Sequence, residues 1–169
     1  CIRDSYTGNL ADIKKELAEG HFFRAYNYFY LLKFFGGVPV VTKVLDVTSP
    51  ELYGKRNSRY EVVNLILSDL DEAIAGLPLE QNITSADKGK ISKQAAQAFK
   101  ARVLLYEATW RKYNGTSTDF EGSAGPASAQ VNTFLEESVQ LSEIVMGDAA
   151  YSLCHYNNVA AMKNLSSRY

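Results

Sequence analysis

Cysteine is nearly absent from this chain: Cys1 and Cys154 are the only two in 169 residues. Two thiols are too few for a disulfide framework or a thiolate zinc site. Both are expected to behave as small buried hydrophobes. Histidine is equally scarce. His21 and His155 lie far apart, and no metal-ligand spacing such as His-Glu-x-x-His occurs. The chain also lacks a Gly-x-Ser-x-Gly elbow and a phosphate-binding glycine loop. No metal and no cofactor is therefore expected. Charge of one sign is missing too, with 18 Lys and Arg against 19 Asp and Glu, a net charge of -1 and no basic run. That balance argues against a nucleic-acid reader and against a membrane-surface binder. No apolar run reaches the roughly 18 residues needed to cross a bilayer. The stretch over 22–35 is shorter and is interrupted by Arg24, Asn27 and Lys33.

What the chain does have is a concentration of aromatic rings. Phe22, Phe23, Tyr26, Tyr28, Phe29, Tyr30, Phe34 and Phe35 follow one another closely and end at Gly36-Gly37-Val38-Pro39-Val40. A helix that is apolar nearly all round is normally buried nearly all round. This one is expected to be a central scaffold helix with its tyrosines in the core, and not a ligand platform. Glycine suits a helix end, and Pro39 favours an extended exit over 38–41.

Helical periodicity marks four segments. The first covers 10–35. The second begins at Ser58, which forms a capping box with Glu61, and Val63, Ile66, Leu70, Ala73 and Leu77 make its apolar stripe up to Pro78. The third begins at Ser92, with Ala95, Phe99, Val103, Tyr106 and Trp110 on one side. The fourth covers 131–146, with Phe134, Leu135, Leu141 and Val145 apolar and Gly147 as its stop. The segments 43–57, 81–90 and 113–128 have loop composition. Extended pieces are expected only near 38–45 and 151–153. Ser58 and Ser92 stand 34 residues apart, the period of the tetratricopeptide helix–turn–helix repeat.

In these residues the chain resembles the SusD/RagB family of nutrient-binding outer-membrane lipoproteins. The likeness rests on Phe23-Arg24-Ala25-Tyr26 with its Gly-Gly-Val-Pro exit, on Asn57-Ser58 through Asp69-Leu70-Asp71-Glu72-Ala73, on Ile91-Ser92 through Tyr106-Glu107, and on the fourth helix with Tyr151-Ser152-Leu153. The resemblance implies an all-α fold of tetratricopeptide-like helix pairs with long loop insertions, an α-α superhelix. It implies one SusD-like helical region over 1–169, truncated at both ends, with Cys1 internal and the lipid anchor and signal peptide elsewhere in the full-length protein. It implies a non-catalytic, surface-exposed protein that captures oligosaccharides and hands them to a SusC-like TonB-dependent transporter. Gly20-His21 departs from the family's usual Ala-Arg and is expected to loosen the first helix there.

Few side chains stand out as functional. Trp110 and Tyr113 border a loop rich in Gly and Ser, and sugars lie well on aromatic rings. They are the candidate ligand-binding pair, although the stripe of the third helix also places Trp110 in the core. Arg24, a charge among rings, is expected to pair with a carboxylate from a neighbouring helix. Asp69, Asp71, Glu72, Glu136 and Glu137 could be imagined as glycosidase acids but read as solvated helix faces. A plain tetratricopeptide scaffold for protein–protein binding is the main alternative, and its short inter-helix turns fit 43–57 poorly. A glycoside hydrolase lobe is the other rival.

Overall fold

The computed structural model describes residues 7–9, 13–116 and 130–152. Four helices carry it: α1 (Lys14–Phe35), α2 (Arg59–Gly76), α3 (Lys93–Asn114) and α4 (Val131–Met146). Short 3-10 turns at Pro50–Tyr53, Glu80–Asn82 and Ser85–Asp87 punctuate the connections. No strand occurs among the described residues, and the stretch 38–41 has no regular secondary structure. Cys1, Leu10, Leu153, Cys154, His155 and most of the 113–128 loop lie outside the described residues.

The helices pack as two pairs, α1 with α2 and α3 with α4, and the pairs join where α2 meets α3. This is the expected arrangement of helix hairpins, but the 34-residue interval has another meaning. Ser58 opens the second helix of one pair and Ser92 the first helix of the next. The interval therefore spans the junction between pairs and is not a repeat period.

Local chemistry explains the element ends. The Ser58 hydroxyl accepts the Glu61 N–H, and the Glu61 carboxylate accepts the Ser58 N–H at 2.7 Å, closing the capping box. Ser92 accepts the Ala95 N–H in the same manner at α3. Gly36 ends α1 in a left-handed conformation at φ 69°, its N–H bonded to the Leu32 carbonyl. At Gly37 a Cβ would overlap the Asn57 carbonyl oxygen, so glycine permits the return of the 38–57 connection across this end. Tyr28 holds that connection down: its hydroxyl accepts the Val41 N–H at 2.8 Å, and the Asn57 side chain accepts the Val40 N–H.

The core draws on Phe22, Phe29 and Leu32 of α1, Val63, Ile66, Leu70, Ala73 and Leu77 of and just after α2, and Val103 and Leu104 of α3. The α2 stripe is buried as expected. Phe99 is the hub, with ring centres of Phe22 and Phe29 at 5.5 and 5.6 Å. Burial of this face is the main stabilising term, at about 25 cal/mol per Å² of apolar surface removed from water.

Two expectations fail here. First, α1 is buried on one side only. Phe22, Tyr28 and Phe29 are core, but Phe23 is 50% exposed, Tyr26 37%, Tyr30 43% and Phe34 74%. α2 and α3 cover one side of α1, and no further described element reaches the other. Second, Gly20-His21 does not loosen the helix, which runs unbroken from Lys14 to Phe35. His21 is tied across to α2, as described below.

Candidate ligand site

Trp110 and Tyr113 lie in the last turns of α3, three residues apart and so on neighbouring positions of one helix surface. Gly115, at φ 73°, ends the helix with its N–H on the Arg111 carbonyl, and Tyr60 anchors the exit through a 2.6 Å bond from its hydroxyl to the Thr116 carbonyl. Tyr113 is 78% exposed. Trp110 is half-buried, with the Arg59 guanidinium carbon 4.2 Å from its ring centre and its indole N–H buried without a hydrogen-bond partner. The two sequence readings of Trp110 thus meet in one side chain, which partly packs and partly faces outward. Tyr113 thus leaves an aromatic ring and a hydroxyl open to solvent one turn beyond the half-buried indole.

Below this end lies a charge network that sequence periodicity missed. Glu107 is 0% exposed and sits between Arg59 and Arg111, at 4% and 2%. Arg59 donates to Glu107 at 2.7 and 3.2 Å, and Arg111 donates to the other carboxylate oxygen at 2.9 Å. Aromatic rings take up the guanidinium faces, Tyr106 and Trp110 on Arg59 and Tyr60 and Phe134 on Arg111. Cation–π contacts of this kind gain strength when desolvated. The Glu107–Arg111 spacing of four was the one visible signal, since such pairs face each other on a helix.

A second network closes the α1–α2 seam. Arg24 clamps Asp69 with two 2.6 Å bonds, and His21 reaches the same carboxylate at 2.7 Å. The expected partner of Arg24 is therefore Asp69, and the pairing raises the Arg24 pKa above its ordinary value, chiefly through that hydrogen bond. Asp69 itself is only 2% exposed, which corrects its reading as part of a solvated face. A buried carboxylate persists because Arg24 neutralises it. A cleft of about 420 Å³ opens beside this pair, with Lys14, Glu72 and Gly76 on its walls.

The remaining acids have ordinary roles. Asp71, Glu72 and Glu136 are exposed. Asp71 and Glu137 both bind Lys100, at 2.6 and 2.5 Å. Burial pulls the Lys100 pKa down, and the two carboxylates more than offset it, leaving it raised. Among the described residues no group of three His, Cys, Asp or Glu gathers to hold a metal ion, and no helix is long and apolar enough to cross a membrane.

Residues 4–105 match the SusD-like family described as starch-binding and associating with the outer membrane. A SusD-like protein of Formosa agariphila is 34% identical over 108 residues, which cover 63% of this chain and 20% of that protein. A SusD-like carbohydrate-binding protein of Bacteroides fragilis is 30% identical, with a TM-score of 0.54 over 64% of this chain and 21% of the other. A protein solved with a xylogluco-oligosaccharide is 26% identical, with a TM-score of 0.66 over 90% of this chain and 27% of the other. The chain thus spans about a fifth to a quarter of the length of these relatives. With the family match covering more than half of its residues and the helix pairs as expected, the chain belongs to the SusD-like family.

Proposed function

We propose that this chain is the helical region of a non-catalytic glycan-binding protein at the bacterial cell surface. In this reading the full-length protein is held at the outer membrane by a lipid anchor outside the chain. It captures oligosaccharides and delivers them to a SusC-like TonB-dependent transporter. The observation that carries the reading is membership of a family with a carbohydrate-binding member and a relative solved with a bound oligosaccharide. The geometry is compatible. Of the acids weighed as glycosidase candidates, Asp69 is clamped by Arg24, and Asp71 and Glu137 share Lys100.

Within this chain, Trp110 and Tyr113 are the proposed sugar-contacting pair. Their support is the exposed Tyr113 ring beside an indole braced by Arg59. Aromatic faces bind sugars through apolar contact, while flanking polar groups set orientation. Calorimetric titration of the full-length protein with oligosaccharides tests the reading. Saturable binding without release of reducing sugar supports it. Glycan cleavage, or no binding to any glycan tried, counts against it.

A further inference from the structure

We propose that the cleft at the α1–α2 seam is a second small-molecule site, which takes the carboxylate of a sugar acid. It lies apart from the end of α3 and uses none of the residues of the sugar-binding reading.

The hydrogen bonds left unmade around the cleft call for an anion. Asp69 spends both carboxylate oxygens, one on Arg24 Nε and the other on Arg24 Nη2 and His21 Nδ1. The donors around it are not exhausted. Arg24 gives Asp69 its Nε–Nη2 edge, and its Nη1 meets no acceptor among the described residues. The Nη1–Nη2 edge is a second fork of the kind a carboxylate fills with two parallel bonds. An ionised carboxylate only accepts, so Nδ1 of His21 donates to Asp69 and the imidazole keeps Nε2 unspent. Lys14, which also lines the cleft, has an ammonium with no acceptor among the described residues. The Arg24 and His21 side chains remain 30% and 27% open to solvent, so a ligand can reach them. Against these groups stands one lining acid without a partner among the described residues, the exposed Glu72. Donors outnumber acceptors, and the matching ligand carries anionic oxygens.

Size and lining decide what else that ligand carries. The cleft volume of about 420 Å³ is many times the roughly 30 Å³ share of a water and lies within the roughly 300–1,000 Å³ of small-molecule sites. A bare inorganic ion would leave most of it unfilled. Leu17, Leu65 and Ala75 add an aliphatic lining, which suits the C–H groups of a sugar ring. A sugar acid meets each demand at once. Its carboxylate goes to Arg24 and Lys14, its ring carbons to the aliphatic lining, and its hydroxyls to His21 and Glu72.

Calorimetric titration of the full-length protein with D-glucuronate, glucose and inorganic phosphate is the test. Glucuronate is expected to bind saturably and at least several-fold tighter than glucose or phosphate. Lys14→Gln, at an exposed position, is expected to weaken glucuronate several-fold with an unchanged melting temperature. Glu72→Gln is expected to tighten it, since a repelling charge goes while an acceptor stays. Tyr113→Ala is expected to leave it unchanged, which separates this site from the end of α3. No saturable heat with glucuronate overturns the proposal. So does equal affinity for glucose, which would make the site one for neutral sugars, or for phosphate, which would make it a bare-anion site. Unchanged affinity in Lys14→Gln, weaker binding in Glu72→Gln, or loss in Tyr113→Ala overturns it as well.

Discussion

Arg59 and Glu107 are 48 residues apart in sequence, yet their charged atoms lie 2.7 Å apart in a site almost closed to water. Arg59 opens α2, Glu107 sits in the second turn from the end of α3, and Trp110 rests on the same guanidinium. One carboxylate thereby joins the two helix pairs and braces the candidate ligand site. Glu107→Ala would leave two guanidiniums buried without it. We expect a loss of about 3–5 kcal/mol, measured by urea unfolding. A loss below about 1 kcal/mol would show that the network adds nothing to the joint.

The Arg24–Asp69 clamp gives a similar expectation with a built-in control. Arg24→Leu strands a carboxylate that is 2% exposed, with only His21 to meet it. Stability should fall by about 3 kcal/mol or more. Adding Asp69→Leu should recover part of that loss, because the unpaired charge goes with it. Additive losses in the double variant would contradict the clamp.

The capping box supplies a pH-dependent term of known sign. Ser58→Ala should cost about 1 kcal/mol. The Glu61 carboxyl is held below its ordinary pKa, first by the Ser58 N–H and then by the Ser58 hydroxyl. A depressed carboxyl pKa stabilises the fold above the ordinary carboxyl range, and that stabilisation is lost as pH falls through the folded value. The stability gap between wild type and Glu61→Ala should therefore be present at neutral pH and shrink below about pH 4. Denaturant melts across that range would show it, and a gap that does not change with pH would refute it.

Two helical glycines should respond in opposite directions. Nothing stands within 4 Å of a Cβ built on Gly20, whereas one on Gly76 would lie 2.6 Å from the Ala18 Cβ. Gly20→Ala should stabilise by about 0.5–1 kcal/mol through helix propensity. Gly76→Ala should destabilise by about 1–3 kcal/mol by forcing α1 and α2 apart. Thermal melts of the two variants decide it, and a stabilised Gly76→Ala would contradict the close crossing.

Much of this fold is legible in the sequence wherever apolar spacing and backbone chemistry act alone. The stripe from Val63 to Leu77, the Ser58–Glu61 box and the Gly36 stop all need only local rules, and the structure carries each of them. The aromatic helix shows where those rules end. Apolarity marks surface that some element covers, but it does not say whether that element lies in the same stretch of chain. Phe23, Tyr30 and Phe34 were thus read as core and stand exposed. α3 fails in the opposite sense. Its buried positions include Gln94, Lys100, Glu107 and Arg111, which a hydrophobic pattern assigns to water because it cannot see their distant partners. Asp69 was misread for the same reason. Of the proposed site, the ring chemistry of Trp110 and Tyr113 beside a loop is visible in the sequence, while the Arg59 contact to Trp110 depends on tertiary structure.

The central claim is that the protein binds oligosaccharide through the open end of α3. Calorimetric titration of full-length wild type and Tyr113→Ala with the same oligosaccharides tests it most directly. Tyr113 is 78% exposed, so its truncation should leave the melting temperature unchanged. The account predicts saturable binding to the wild type and a several-fold weaker affinity in Tyr113→Ala. Equal affinities for the two proteins, or no saturable heat with any glycan, would contradict it.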